Sequence, residues 1–420
     1  MTSTRVAMLA YHTCPLVPPG AGSAGGMNVY VRELAAALGR QGVGVDVFTR
    51  DHGCALPAIR PIGPLARLVH VKAGPRAALP KGQLEAYTGE FAARVDAFAR
   101  DAGPYDLVHA HYWLAGRAGI DLARRFGVPL VQMFHTLGHL KTRWAAAAAE
   151  RAEPARLRSE SLLARVACRL VAATAAEARE LVGTLRARED RVAVVPCGVD
   201  LAAFAPREPE AARRRLGLEG VRPVVYVGRL EPLKGVDRLV EAVARLDDPR
   251  IRLVVVGGDG AEGDAGGEAA RLGRLAADLG IAGRVEFRGP EPRAVLADYY
   301  AAAAAVVVPS AYESFNLVAL EALASGAALV ATPVGVVPDL VEDGVNGLIV
   351  PPGDAGALAR ALARLFADAD LTARIRSRAR SAVIGYGWSS VAARIRTLYE
   401  GLVALGSTAV GESRWRRRPA

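Results

Sequence analysis

Short, unbroken apolar runs recur along the whole chain, each followed by a stretch with helical spacing. In the first half the runs are Arg5–Tyr11, Val43–Thr49, Leu107–Ala110, Leu130–Phe134 and Val192–Val195. In the second they are Val224–Val227, Ile251–Val256, Val285–Arg288, Ala305–Val308, Ala328–Ala331 and Leu348–Val350. A strand that is apolar at nearly every position has to be covered on both faces, as a parallel strand between two helical layers is. The intervening stretches supply the helices: Val31, Leu34 and Leu38 recur every three to four residues, and Gly42 follows them. This β–α alternation predicts an α/β fold built on doubly wound parallel sheet.

Eleven runs are many for one such sheet. The rhythm breaks at Pro196, Gly198, Pro206 and Pro209, and a fresh βα series opens at PVVYVGRL (223–230). Two Rossmann-like domains are therefore expected, over 1–200 and 201–387. Each carries a glycine-marked strand-to-helix turn, Gly25-Gly26 in the first and Gly228 and Gly235 in the second. WSSVAARIRTLYEGLVAL (388–405) reads as a helix opened by its Ser pair, and 406–420 as a basic tail. With 51% hydrophobic residues in 420, the chain can bury large cores.

The formal charge of +10 comes from 53 basic and 43 acidic residues, and only Lys72, Lys81, Lys141 and Lys234 are lysines. The arginines are interspersed with acids rather than gathered on one face, which argues against a nucleic-acid partner. Cys14, Cys54, Cys168 and Cys197 lie far apart with no C-x-x-C, which argues against a disulfide framework or a structural zinc. No apolar run reaches the length of a membrane span or a secretory core, so a cytoplasmic protein is expected. A weak membrane contact through the basic tail competes with the plainer reading of a solvated tail.

Four segments hold residues able to do chemistry. In PPGAGSAGGMNVYV (18–31) a Gly/Pro-rich loop leads into a helix start near Gly26, where free N–H groups suit an anion; the plain alternative is an ordinary βα turn. In VGRLEPLKG (227–235), Arg229 follows a buried strand and Lys234 opens a helix, so the pair could neutralise a diphosphate or merely be solvated. In PSAYESFNLVALEALASG (309–326), Glu313 precedes a helix and Glu321 sits inside it; they could accept sugar hydroxyls, or cap the helix and face water. HAHYW (109–113) and MFHT (133–136) end strands, and His135 there is a polar terminus or a group facing a cleft. All seven histidines lie before residue 140. Asp368-Ala-Asp370 reads as a turn and helix cap, and GGDGAEGDAGGE (257–268) lacks a calcium-loop register. No motif calls for a metal or a resident cofactor, although Mg²⁺ remains compatible with the chain.

AGGMNVYV, VGRLEPLKG and ESFNLVALEALASG, in this order, resemble glycosyltransferase family 4, the retaining GT-B enzymes, and the likeness runs over about residues 5–405. It implies an N-terminal acceptor domain, a C-terminal nucleotide-sugar domain across a cleft, and a last helix, 388–405, that crosses back to the first domain. The first half is most similar to the branch acting on inositol phosphate, and more loosely to the sucrose-phosphate-synthase-like branch. By that resemblance Lys81, Tyr112, Thr136 and Arg156 would hold an acceptor phosphate, with His12 and Asn28 on the acceptor's hydroxyls. Arg229 and Lys234 would hold a donor diphosphate, expected to be UDP-linked, with Gly26 leaving room for it. Backbone N–H groups of Asn316 and Leu317 would reach that phosphate, Glu321 the ribose and Glu313 the transferred sugar. His135 would lie by the developing oxocarbenium, giving His135, Glu313, Arg229 and Lys234 as the catalytic set. Asn316 stands where the family commonly has Gly, and GPEPRA (289–294) departs from its pattern. A nucleotide-sugar 2-epimerase and a non-catalytic nucleotide-sugar binder share these features; the partners otherwise expected are small molecules, with room for a homodimer.

Overall fold

A computed structural model of the chain describes residues 4–17, 24–53, 56–144, 151–258 and 267–409. Among these residues two sheets form, one per lobe. The first holds β1 (Arg5–Leu9), β2 (Gly44–Arg50), β3 (Ile59–Gly63), β4 (Ala66–Val71), β5 (Leu107–His111), β6 (Leu130–Met133), β7 (Arg169–Ala172) and β8 (Val192–Val194), in the order β3-β4-β2-β1-β5-β6-β7-β8. The second holds β9 (Arg222–Val227), β10 (Ile251–Val256), β11 (Val285–Gly289), β12 (Ala305–Val308), β13 (Leu329–Ala331) and β14 (Leu348–Ile349), in the order β11-β10-β9-β12-β13-β14. The pairings are parallel except that between β3 and β4.

Every expected run is a strand, with ends moved by one or two residues, and the α/β architecture of two doubly wound sheets stands. Three strands lacked a readable run. β3 is an exposed edge strand, β4 carries Arg67 and His70 among its apolar residues, and β7 is four residues long with Arg169 leading it. Edge and mixed strands are held by pairing rather than by full burial, so they leave no continuous apolar signature.

In each sheet the strand order reverses beside the first strand, between β1 and β5 in one and between β9 and β12 in the other. The loops after those strands open into a crevice, which is where α/β sheets bind ligands. The chain passes between the lobes at two points that pair with each other: Val199 and Gly387 form a bridge, and Val199 N–H donates to Tyr386 at 2.9 Å.

The last helix, Trp388–Ala409, packs against the helix Gly26–Arg40 of the first lobe. Gln41 donates to Ser389 O at 2.8 Å, and Trp388 meets Tyr30 edge-on with centroids 5.6 Å apart. Two expectations shift here. Ser389 and Ser390 lie inside the first turn, because the helix begins at Trp388 after Gly387. The helix also continues through 406–409, so the tail begins later than 406, and its basic residues lie outside the described residues. No helix among the described residues is long and apolar enough to cross a membrane.

Candidate active site

Residues from both lobes converge on the crevice. In the first lobe β5 ends at His111, and Tyr112 follows with φ 76°, which turns its ring across the sheet end. Arg156, on the helix Pro154–Val166, stacks its guanidinium over that ring at 5.0 Å, and the Lys81 ammonium lies over it at 5.7 Å. Arg156 also donates to Thr136 through its carbonyl at 2.8 Å and its hydroxyl at 2.9 Å. Its Nε donates to Glu160 at 2.7 Å, and the second Glu160 oxygen accepts from Gly138 N–H at 2.8 Å. Lys81, Tyr112, Thr136 and Arg156, spread over 75 positions, thus come to one place. Glu160, fully buried, sets the direction of the guanidinium from one helical turn away. Lys81 makes no ion pair within 4 Å among the described residues; desolvation, then Arg156, Lys141 and Arg229, push its ammonium pKa down. That is the electrostatics of a pocket short of negative charge.

His12 lies against the Tyr112 ring, centroids 4.4 Å apart. Burial, followed by Lys81, His135 and Arg156, holds it neutral. Asn28 is placed differently from its expected contact. Its amide nitrogen donates to Thr13 Oγ1 at 3.0 Å and Cys14 O at 2.7 Å, while its oxygen accepts from Gly25 N–H at 3.1 Å. Three of its four hydrogen-bonding positions therefore tie the β1 loop to the start of the helix Gly26–Arg40.

In the second lobe Lys234 ends a short turn after β9, and Gly235 follows with φ 66°. A Cβ on Gly235 would sit 2.3 Å from the Pro309 carbonyl oxygen, so only glycine lets this turn close on the end of β12. That approach brings Lys234 Nζ to 2.8 Å from Glu313, whose other oxygen accepts from Ser310 at 2.9 Å. Arg229 is half exposed and pairs with Glu231 at 2.5 Å, while its carbonyl accepts from Tyr226 at 2.7 Å. It remains close enough to Lys81 to lower that ammonium's pKa, which sets it at the crevice between the lobes rather than on the outer surface.

Asn316, not Glu313, caps the helix Leu317–Ala324: φ is 83°, and its side-chain oxygen accepts from Ala319 N–H at 2.9 Å. Asparagine tolerates that conformation, which explains how the turn forms without glycine. A Cβ on Gly26 would lie 3.4 Å from Leu317 Cδ1, an ordinary contact, so the N-terminal ends of two helices, one from each lobe, meet across the crevice with the Leu317 side chain between them. Both carry a positive dipole end, with Asn28 N–H held by Gly25 O at the first and Ala319 N–H by Asn316 at the second.

Glu321 is buried, not on a wet face. Arg293 donates to one oxygen at 2.7 Å and Tyr300 to the other at 3.0 Å. Burial raises its carboxyl pKa, against the opposing pull of Arg293 and Tyr300. Arg293 also reaches Glu33 of the first lobe at 3.5 Å, and its guanidinium lies 5.1 Å from the Phe204 ring centre. Arg293, Tyr300, Glu33 and Glu160 were not legible as site residues; only the i,i+4 spacing of Arg156 and Glu160 carried a usable signal.

Two switch-point crevices face each other, with Lys81, Tyr112, Thr136 and Arg156 gathered on one side, Arg229 and Lys234 on the other, and one helix N-terminus from each lobe between them, on the two-lobed fold of a GT-B glycosyltransferase. Residues 24–203 match the model of Glycosyltransferase Family 4, and residues 209–382 that of Glycosyl transferases group 1. The chain belongs to the family of the D-inositol 3-phosphate glycosyltransferases. The relative of that name from Streptomyces scabiei is 44% identical over 407 residues, covering 94% of this chain and 90% of the relative. The one from Nocardiopsis dassonvillei is 41% identical over 409 residues, covering 96% and 95%. Among solved structures, sucrose-phosphate synthase from Thermosynechococcus elongatus superposes with a TM-score of 0.87 at 33% identity, covering 96% of this chain and all of that one. HepE from Anabaena, at 23% identity and a TM-score of 0.74, shares the fold.

Proposed function

We propose that this enzyme moves a hexosyl group, with retention, from a nucleotide diphosphate sugar to a hydroxyl of inositol phosphate. The observation that carries the reading is the gathering of Lys81, Tyr112, Thr136 and Arg156 into one clamp opposite Lys234 and the facing helix ends. The clamp has the charge for a phosphate, and Arg156 has the donor geometry. The acceptor's identity follows the names of the relatives at 41–44% identity. UDP as the nucleotide follows the motif resemblance.

In this reading Lys234, Arg229 and the N–H groups at Asn316 and Leu317 take up the charge of the departing diphosphate. The C1–O bond to phosphate breaks, the acceptor oxygen bonds to C1 on the same face, and the acceptor proton passes to the leaving phosphate oxygen. Glu313 turns from Lys234 to the sugar hydroxyls, and Glu321 accepts the ribose hydroxyls with its remaining lone pairs. His12 meets acceptor hydroxyls, and His135 holds the sugar. None of these steps calls for a metal, and Mg²⁺ on the diphosphate is compatible with them.

The test is a matrix of nucleotide sugars against phosphorylated and unphosphorylated polyols and sugars, read by product mass and anomeric configuration. The expected product is an α-linked hexosyl inositol phosphate, with none formed from free inositol. Acceptor-independent conversion of the donor sugar would favour the 2-epimerase reading instead, and donor binding without turnover a binding protein.

A further inference from the structure

A row of buried imidazoles runs from the crevice to the last helix, and the function above uses only its outermost member. His109 and His111 are alternate residues of β5, so both point to the same side of the sheet. Their rings meet at a 44° tilt with centroids 4.2 Å apart. His135, with φ 61° after β6, brings its Nε2 to 3.0 Å from His111 Nδ1. At the far end His109 Nδ1 meets the Tyr399 hydroxyl at 2.6 Å, so the last helix pins the row from behind. Tyr30 packs edge-on against both His111 and His135, at 5.7 and 5.2 Å.

One proton lies between His111 Nδ1 and His135 Nε2, and the structure decides which ring owns it. His111 Nε2 is buried with no protein hydrogen-bond partner among the described residues. If His135 donated, His111 would have to carry its own hydrogen on that nitrogen, leaving an orphaned N–H in the core. If His111 donates from Nδ1, its Nε2 is a bare acceptor, the less costly of the two to leave unpaired. His135 Nδ1, in contrast, is not among the buried unpartnered atoms.

We infer that His111 is a positioning residue that locks His135 into the Nδ1–H tautomer, so that His135 presents a neutral N–H donor, not an acceptor, to the sugar in the crevice. Burial holds both rings uncharged, His135 with its pKa pushed down to about 3, so the hydrogen bond is between neutral partners. His135 then steadies a sugar oxygen without adding positive charge beside a developing oxocarbenium. The role at the sugar rests on the function proposed above; the tautomer does not.

The first test therefore needs no substrate. Long-range ¹H–¹⁵N correlation on the ligand-free enzyme, labelled at its seven histidines, should show His135, assigned with a His135→Gln variant, protonated at Nδ1 and bare at Nε2. The opposite tautomer would overturn the inference. The second test compares two variants. Asn at 111 can place an amide N–H where Nδ1–H stood, and Phe cannot. His111→Phe should lower kcat about 10–100-fold, the usual loss when an orienting partner is removed, with donor and acceptor KM little changed. His111→Asn should recover most of that loss. Equal kcat in both variants, whether high or low, would overturn the positioning role. If the wild type failed to glycosylate inositol phosphate while showing the Nδ1–H form, the functional reading would fall and the tautomer would stand.

Discussion

The two walls of the crevice hold their charges differently. On the acceptor side Arg156 is satisfied by Glu160 and Thr136, and Lys81 has no carboxylate within 4 Å among the described residues, so the clamp keeps a positive charge in excess. On the donor side each cation is matched: Lys234 with Glu313, Arg229 with Glu231, Arg293 with Glu321 and Glu33. In the proposed function, a clamp with surplus charge and fixed geometry would be ready for its phosphate, whereas a charge-balanced wall would have to exchange carboxylate for diphosphate when the donor arrives, coupling donor binding to side-chain rearrangement.

Acid should separate the lobes most strongly. Four rings of the first lobe, His12, His109, His111 and His135, are held neutral by burial, with His109 and His135 pushed down to about 3. The unfolded chain takes up those protons near its ordinary imidazole pKa of about 6.5. Stability therefore falls as pH drops below that value, by about 1.4 kcal/mol per pH unit for each ring. Glu177, whose buried carboxyl is raised to about 7, acts in the opposite sense between its ordinary value and 7 and offsets one ring. Thermal unfolding followed from pH 7 to 5 should show a steep loss of Tm that begins in the first lobe. A flat profile would mean these rings are not held neutral.

Lys234→Ala should weaken binding of the nucleoside diphosphate by roughly 10–100-fold, since charge-assisted contacts contribute about 1.5–3 kcal/mol. Titration calorimetry reads this directly, and unchanged affinity would remove Lys234 from the donor site. Arg156→Ala should raise the KM for inositol phosphate by at least about tenfold on the same grounds and leave donor affinity alone. A change in donor affinity alone would exchange the roles of the lobes.

The smallest effect is expected at Arg293, where the comparison is sharpest. Arg293→Ala leaves the buried Glu321 without its cation, with Tyr300 as its remaining partner. Burial alone then raises that carboxyl further, and the neutral form accepts fewer hydrogen bonds. Donor affinity should drop severalfold and acquire a pH dependence, weaker as pH falls. An affinity that stays independent of pH would show that Arg293 links the lobes without tuning Glu321.

The architecture was legible because it rests on local signals. Continuous apolar runs mark doubly covered strands wherever they occur, and the glycine at 235 marks backbone that must lie close to something. The clamp residues were legible only through resemblance, because no spacing in the chain connects Lys81 with Arg156. The hydrogen-bond partners of Asn28 and Glu321 were not legible for the same reason: a side chain's partners are set by what folds against it, and Thr13, Arg293 and Tyr300 are brought there by the fold.

By itself, then, the amino-acid order determined two α/β sheets built mostly of parallel strands and which strand ends carry polar residues, because burial on both faces and turn chemistry are read within a few residues of chain. Which carboxylate each cation meets, which nitrogen of His135 faces the crevice, and how the last helix secures the row behind it were decided only in three dimensions. Those contacts join residues 24 to 290 positions apart, and a hydrogen bond depends on distance and direction in space, of which the linear sequence holds no local trace.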